Sequence, residues 1–470
     1  MKRKVAIIDN GVDQAKLRQK VKEFICIDKE GKWHEDICTR ELNVDSHGTK
    51  CALILESLEC ECILYSIKVL DDEGIGTILQ WERALKWCYE NEIFIVNLSL
   101  GTTCFSDRIR IQKIINYYVN KGMIIVAALS NDGYRTYPAA FSNVIGVRAG
   151  KQLQPVQRHY RLAGAELYAP IQSDIVMNNG NSFAAPYVTA LIIEFFKKNR
   201  KNSSICEIRQ YLYHLCEKDK KERMILEPDW ISNAWIKGIE KKSQADYYFQ
   251  WNAKQKDSDI MEADTIIINT AQELKRYLYM DKHILYLGDE DVERENIRNV
   301  FFWSSNEKRE EILKTTSRKG EIEIPIYLFI IDPEDDLLWW MQKLKERFSM
   351  HGYNLFTGTT VKESILYDLE YIPFEMLKND RIEKSKDYLY WKTYYIQADA
   401  ILIGVNETKE IEKFEDTVDV TILCRNLNGI FNLEIFFEGK IVNRFCMTDQ
   451  YQELVRLYEA MKSVFTEGIG

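Results

Sequence analysis

Short apolar runs recur along the first 200 residues with helix-patterned stretches between them, and this alternation constrains the fold more than any other feature. "VAII" (5–8), "ILYSIKVL" (63–70), "IFIVNLSL" (93–100), "MIIVAAL" (123–129) and "VIGVRA" (144–149) have the length and continuity of strands buried on both faces. Between them, "ILQWERALKWCYEN" and "DRIRIQKIINYYVNKG" carry apolar residues at helical spacing, the second closed by a glycine. Strand and helix in alternation predict an α/β domain, a parallel sheet with helices on both faces.

That domain accounts for less than half of the 470 residues, and a chain of this length is expected to divide into two or three domains. "CEIRQYLYHLCEK" reads as a further helix, after which the charge-rich "KDKKERM" and the polar "KGIEKKSQAD" change the texture. We therefore expect an α/β domain over 1–217, a linker or extension over 218–262, and a second mixed α/β or α+β domain over 263–470. The last region restarts with the strand "IPIYLFIID" (324–332), a helix with Leu337, Met341, Leu344 and Phe348 on one face, then "YNLFTG" and "ADAILIGV" (398–405). Asn428-Gly429 between two β-rich runs is a hairpin signal, and Leu454, Leu457, Met461 and Val464 mark a closing amphipathic helix.

Composition removes several functional classes. Apolar residues make up 46% and charged residues 29%, the balance of a soluble globular chain. No apolar run approaches the roughly 18 residues of a membrane span, and the charge at Asp9 interrupts any secretory signal. A cytoplasmic location is expected, with no membrane partner. A formal charge of −9 disfavours nucleic acid as a partner. The eleven cysteines lie scattered without CxxC pairs, which suits reduced thiols better than a disulfide framework or a zinc site.

Chemistry enters with three residues far apart in the chain. A serine hydroxyl is a poor nucleophile at neutral pH and needs a base within hydrogen-bond reach, itself oriented by a third group. Asp9 ends the first strand in "AIIDNGVD", His47 opens a helix in "DSHGTKCALIL", and Ser182 precedes an apolar helix in "NNGNSFAAPYVTALI". Carboxyl ends of strands and first turns of helices converge on one crevice in an open parallel sheet, so the three can meet there. Singly, each has a bland reading: a strand-end turn, a helix start, an Asn-rich loop.

Taken in order, these segments resemble the subtilisin-like serine peptidases. "IIDNGVD", "HGTKCA" and "GNSFAAPYVTA" look like that family's Asp, His and Ser motifs. "SIKVLDDEGIGT", "ALKWCYENEIFIVNLSLG", "IIVAALSNDG" and "ELYAPI" are similar to family segments between them, from about residue 4 to about 217. The resemblance implies that Asp9 orients His47, that His47 is the general base and then acid, that Ser182 attacks the scissile carbonyl and that Asn131 donates to the oxyanion. It also implies that Ser99, Leu100 and Gly101 pair with an extended substrate on one side of the S1 pocket, and the backbone near Gly74 and Gly76 on the other.

The chain departs from the family pattern in places. Asn10 and Asn181 replace a small hydroxyl residue and a threonine, and Leu129-Ser130 stands where a glycine usually precedes the Asn. Cys51, one helical turn after His47, resembles a thiol-bearing branch, for which mercurial sensitivity is expected; a small buried filler is the equal alternative. The short join between the His helix and "SIKVL" implies loss of a calcium loop, so no metal and no cofactor are expected. Asp9 stands too close to Met1 for the pro-segment usual in the family, so restraint is expected from a narrow substrate requirement or from the C-terminal half. That half is loosely similar, in "YNLFTGTTVKESILYDLEYIPFEML" and "ADAILIGVNE", to accessory proteins of clostridial-type peptide-maturation systems.

The leading expectation is a serine endopeptidase that trims a specific peptide precursor, such as the leader of a ribosomally made, modified peptide. A general intracellular or regulatory protease and a non-catalytic peptide-binding scaffold remain alternatives.

Overall fold

The structure is a computed structural model, and it describes all residues except 1, 37–45, 151–156, 159–166, 172–174, 176–179, 200–202, 217–225, 292–299, 315–319, 333–335, 407–411, 428–429, 448–449 and 468–470. Two compact units are present, residues 1–232 with 298–301, and residues 233–297 with 302–470.

The first unit is built on a sheet whose strands are β1 (Arg3–Asp9), β2 (Val21–Ile27), β3 (Trp33–Glu35), β4 (Cys62–Lys68), β5 (Ile95–Leu98), β6 (Ile124–Ala128), β7 (Ile145–Gly150), β8 (Gln157–Arg158) and β9 (Leu167–Pro170). Their order is β3-β2-β4-β1-β5-β6-β7-β9-β8. Every pairing from β2 to β9 is parallel, and β3 and β8 add antiparallel edges. Helices α1 (His47–Ser57), α2 (Ile78–Glu90), α3 (Arg108–Val119), α4 (Ala184–Lys198) and α5 (Ile205–Leu215) complete the unit. The continuous apolar runs are explained by burial from both sides. Val5 and Ile7 pack in one core with residues of α1, α4 and α5, while Ala6 and Ile8, turned to the opposite face by the strand's period of two, are equally buried. On that second face Tyr65 of β4 meets Trp87 of α2 edge to face.

The connections place the site. From β1 the chain passes through α1 to β4 on one side, then through α2 to β5 on the other side of β1. The crossovers diverge at β1, and a crevice opens beyond the carboxyl end of a strand where this happens. Asp9 is the last residue of β1.

The second unit holds two sheets. In one, β10 (Asn233–Ile236), β11 (Gln250–Trp251), β12 (Thr265–Ile268), β13 (His283–Tyr286) and β14 (Phe302–Ser304) are parallel in the order β11-β10-β12-β13-β14. In the other, β15 (Ile326–Ile331), β16 (Leu355–Thr359), β17 (Glu370–Tyr371), β18 (Ala400–Val405), β19 (Val420–Leu427), β20 (Ile430–Phe437) and β21 (Lys440–Met447) lie in the order β17-β16-β18-β15-β19-β20-β21. Strands β19 and β20 pair antiparallel with Leu427 opposite Ile430, as the Asn428-Gly429 signal requires, although the turn residues lie outside the described ones. The stretch 218–262, expected as a linker or extension, carries β10 and β11. Runs of four and two residues are too short for their periodicity to stand out in sequence.

Candidate active site

Asp9 is 1% exposed. Its Oδ1 accepts the Asn10 amide at 2.8 Å and its Oδ2 lies 2.8 Å from His47 Nδ1. Both carboxylate oxygens are thus committed, and the ring is held by its Nδ1 edge. Helix α1 reaches Asp9 because its start is fastened to the loop after β1. The N-cap Ser46 accepts from Thr49 N (3.2 Å) and donates to Gly11 O (3.0 Å), while Asp13 N donates to Thr49 Oγ1 (2.8 Å). Asn10 Oδ1 accepts Gly48 N at 3.0 Å, a further tie between the start of α1 and the loop after β1. Gly48 is required by space: a Cβ there would stand 2.4 Å from Gly11 O and 3.1 Å from Asp9 Cβ.

Ser182 lies in the 3₁₀ turn Asn181–Phe183 that runs directly into α4. Phe183 sets its ring 5.0 Å from the His47 imidazole. Ser182 Oγ itself makes no hydrogen bond to His47 in this structure; catalytic bonds of this kind often tighten only when substrate is present. The turn is held from below by a buried network in which Ser99 and Cys51, singled out in the sequence for other roles, join Asn97 and Thr189, which were not singled out. Ser99 Oγ donates to Ser182 O (2.9 Å) and accepts from Asn97 Nδ2 (2.9 Å) and Cys51 Sγ (3.3 Å); Thr189 Oγ1 donates to Asn97 Oδ1 (3.2 Å). A buried asparagine inside a strand, Asn97, was the available signal, since such a side chain must find partners.

Asn131 meets the same turn. Its Oδ1 accepts Asn181 N at 2.8 Å, and Asn181 also gives Nδ2 to Ser130 O (2.7 Å) and takes Ala149 N on Oδ1 (3.0 Å). Asn181 therefore cross-links the Ser182 turn to the loop after β6. Asn131 is exposed, and its oxygen is already used by this link.

The remaining residues flank Asp9. Gly74 and Gly76 follow β4, and Ser99, Leu100 and Gly101 follow β5, the two neighbours of β1. Gly74 adopts φ +78° in a turn where Asp71 O accepts Gly74 N (3.1 Å) and Asp71 Oδ1 accepts Ile75 N (2.8 Å). At Gly101 a Cβ would fall 2.6 Å from Thr136 Cγ2. The Ser99 side chain faces inward, so that residue can offer substrate only its backbone.

The electrostatics suit a base. Burial disfavours the imidazolium, but the hydrogen bond and negative charge of Asp9 outweigh burial and the nearby Lys50, and His47 titrates above its ordinary 6.5. Burial, aided by the Asp9 charge, pushes the Cys51 thiol well up despite its bond to Ser99. Asp9, His47 and Cys51 carry ligand-type atoms within 4.8 Å of one another. The Asp9 and His47 atoms already hold each other, however, and the thiol is kept protonated, so the three fit a hydrogen-bonded site better than a metal centre.

Residues 2–224 match the model of the subtilase family. This part of the chain belongs to that family. Among subtilase relatives, the thermophilic serine proteinase of Bacillus sp. (strain AK1) is 30% identical over 244 residues, 46% of this chain and 56% of that protein. Subtilisin BL of Lederbergia lenta is 31% identical over 160 residues, covering 32% of this chain and 58% of that one. The minor extracellular protease Epr of Bacillus subtilis (strain 168) is 29% identical over 158 residues, 31% of this chain and 23% of that protein. The chain thus spans less than two thirds of each. A crystal structure of a lanthipeptide protease overlaps with a TM-score of 0.37 at 17% identity, covering 44% of this chain and 78% of that one. No helix among the described residues is long and apolar enough to cross a membrane.

Proposed function

We propose that the first unit is a serine endopeptidase working through an acyl-enzyme. The observation that carries this reading is the 2.8 Å bond between buried Asp9 and His47, beside the turn of Ser182 at the sheet's switch point. Substrate lies extended between the backbone of Ser99–Gly101 and that of Gly74–Gly76, paired as an added strand. As Ser182 Oγ attacks the scissile carbonyl, its proton passes to His47 Nε2, and the resulting imidazolium is stabilised by Asp9. The carbonyl oxygen gains negative charge, which Asn131 Nδ2 and the N-terminal end of α4 stabilise. Collapse expels the amine, which takes the proton from His47. Water then attacks the ester by the same path in reverse, giving up a proton to His47 and releasing the acid and the Ser182 hydroxyl.

A fluorophosphonate tests the reading: the intact chain is labelled at Ser182, and Ser182→Ala is not. A wild-type chain that binds extended peptides but takes no label is instead a scaffold.

The finer reading is a peptidase that matures one peptide precursor in the cytoplasm. It is supported by the loose resemblance of the second region to accessory proteins of peptide-maturation systems, and by a scattered cysteine spacing without CxxC pairs. A cleavage profile on a peptide library is expected to be narrow; broad cleavage would favour a general protease.

A further inference from the structure

Residues 226–232 begin where the family match stops, yet they are built into the first unit. Glu227 takes the Arg135 guanidinium at both ends, Nη1 at 3.2 Å and Nη2 at 2.5 Å, with the arginine only 8% exposed. Ser142 gives its amide to Asp229 Oδ1 (2.8 Å) and its hydroxyl to Glu227 O (2.6 Å). Asp229 O accepts Gln112 Nε2 (2.7 Å) and Asn116 Nδ2 (2.9 Å), both from α3. Trp230, 1% exposed, packs on Phe301 with ring centres 5.1 Å apart. The segment is a strap, and its bonds are of a number and burial that fix a backbone.

Arg135 stands in the loop 130–137, which carries Asn131 at one end and Thr136 at the other. Asn131 and Asp132 are exposed, so the near half of the loop has little core beneath it. Its shape is set by Thr136 Oγ1, which accepts Ser130 N (2.8 Å) and donates to Tyr134 O (2.9 Å), and by the Asn181 bonds described above. At its far end Tyr137 exchanges backbone hydrogen bonds with Thr102, and Thr136 packs where Gly101 leaves room. A two-pronged arginine–carboxylate pair fixes direction as well as distance, and here it lies one residue from Thr136 and four from Asn131.

We propose that Glu227 is a positioning residue: through Arg135 it sets the loop that aims Asn131, making the strap part of the peptidase site. The inference rests on the peptidase reading. The test uses the full chain with Glu227→Gln, and the pair Arg135→Met with Glu227→Met, which removes both members of the ion pair together should the single variant fold poorly. Turnover of a quenched peptide and melting temperature are measured for each, in wild-type and Asn131→Ala backgrounds.

With Asn131 present, kcat is expected to fall on the order of tenfold while KM stays within about threefold, in folded protein. With Asn131→Ala, itself slower by about 10²–10³-fold, Glu227→Gln is expected to change kcat by less than about twofold, because the group it aims is gone. An equal loss in both backgrounds, or wild-type kcat in the folded Met pair, overturns the proposal. If wild-type protein itself takes no fluorophosphonate label, the peptidase reading fails first and this inference with it.

Discussion

At the scale of single residues, the site is a problem in holding one imidazole oriented and basic. Because His47 titrates above 6.5 and, as the proposed base, accepts the Ser182 proton only when unprotonated, kcat/KM is expected to rise with pH through a midpoint above that value. Asp9→Asn removes both contributions that raise the pKa and leaves burial and Lys50, which lower it. The midpoint should move down while the rate falls by about 10⁴-fold, since the imidazolium loses its partner. A pH–rate profile of both proteins checks this, and an unmoved midpoint would refute it. Stability runs the other way: a raised folded pKa gives a contribution fully present below the unfolded value and lost as pH climbs through the folded one. Cys51 should behave as a buried filler toward alkylation. Its thiol is buried and held protonated, whereas Cys104 and Cys446 are exposed, so iodoacetamide at neutral pH should modify the latter two first, as peptide mapping would show. The motif residues were legible because each sits in a short run of distinctive neighbours. The bonds beneath them were not, for Ser99 meets Ser182, and Asn97 meets Thr189, across more than eighty residues of chain.

At the scale of elements, the decisive feature is how closely α1 approaches the end of β1. Gly48→Ala places a methyl 2.4 Å from Gly11 O, a backbone atom that cannot swing aside. We expect a loss of about 1–3 kcal/mol from overpacking, and a turnover loss on the order of 10²-fold as the imidazole is displaced from Asp9. Denaturant midpoints and kcat measured together would decide it; a stable, fully active variant would show that the helix start can yield. The strands of the parallel sheet could be read because burial on both faces leaves an unbroken apolar signature. β2 and β3 could not, since β2 mixes exposed Lys22 and Glu23 with buried neighbours and β3 is exposed throughout. They are made strands by pairing with β4 and with each other, which a local window does not contain.

At the scale of the whole molecule, the first unit closes on a residue that no boundary drawn from composition would assign to it. Phe301 belongs to this unit although residues 233–297 belong to the other. It packs on Trp230 and lies 5.3 Å from the Arg209 guanidinium, whose Nη2 donates to Val144 O at 2.9 Å. Phe301→Ala therefore opens a cavity against a fully buried indole and removes the ring face that the guanidinium covers. A cost of about 3–5 kcal/mol is expected, a large share of the roughly 5–15 kcal/mol that holds a domain folded. A chain cut at about residue 245 loses the same ring, and its destabilisation should be at least as great. The urea midpoint for loss of peptidase activity, compared among the intact chain, Phe301→Ala and the truncated chain, measures both. An altered substrate choice in the truncated chain would then reflect a loosened first unit as much as a missing second one, and only a truncated chain that keeps residues 298–301 in place could separate the two.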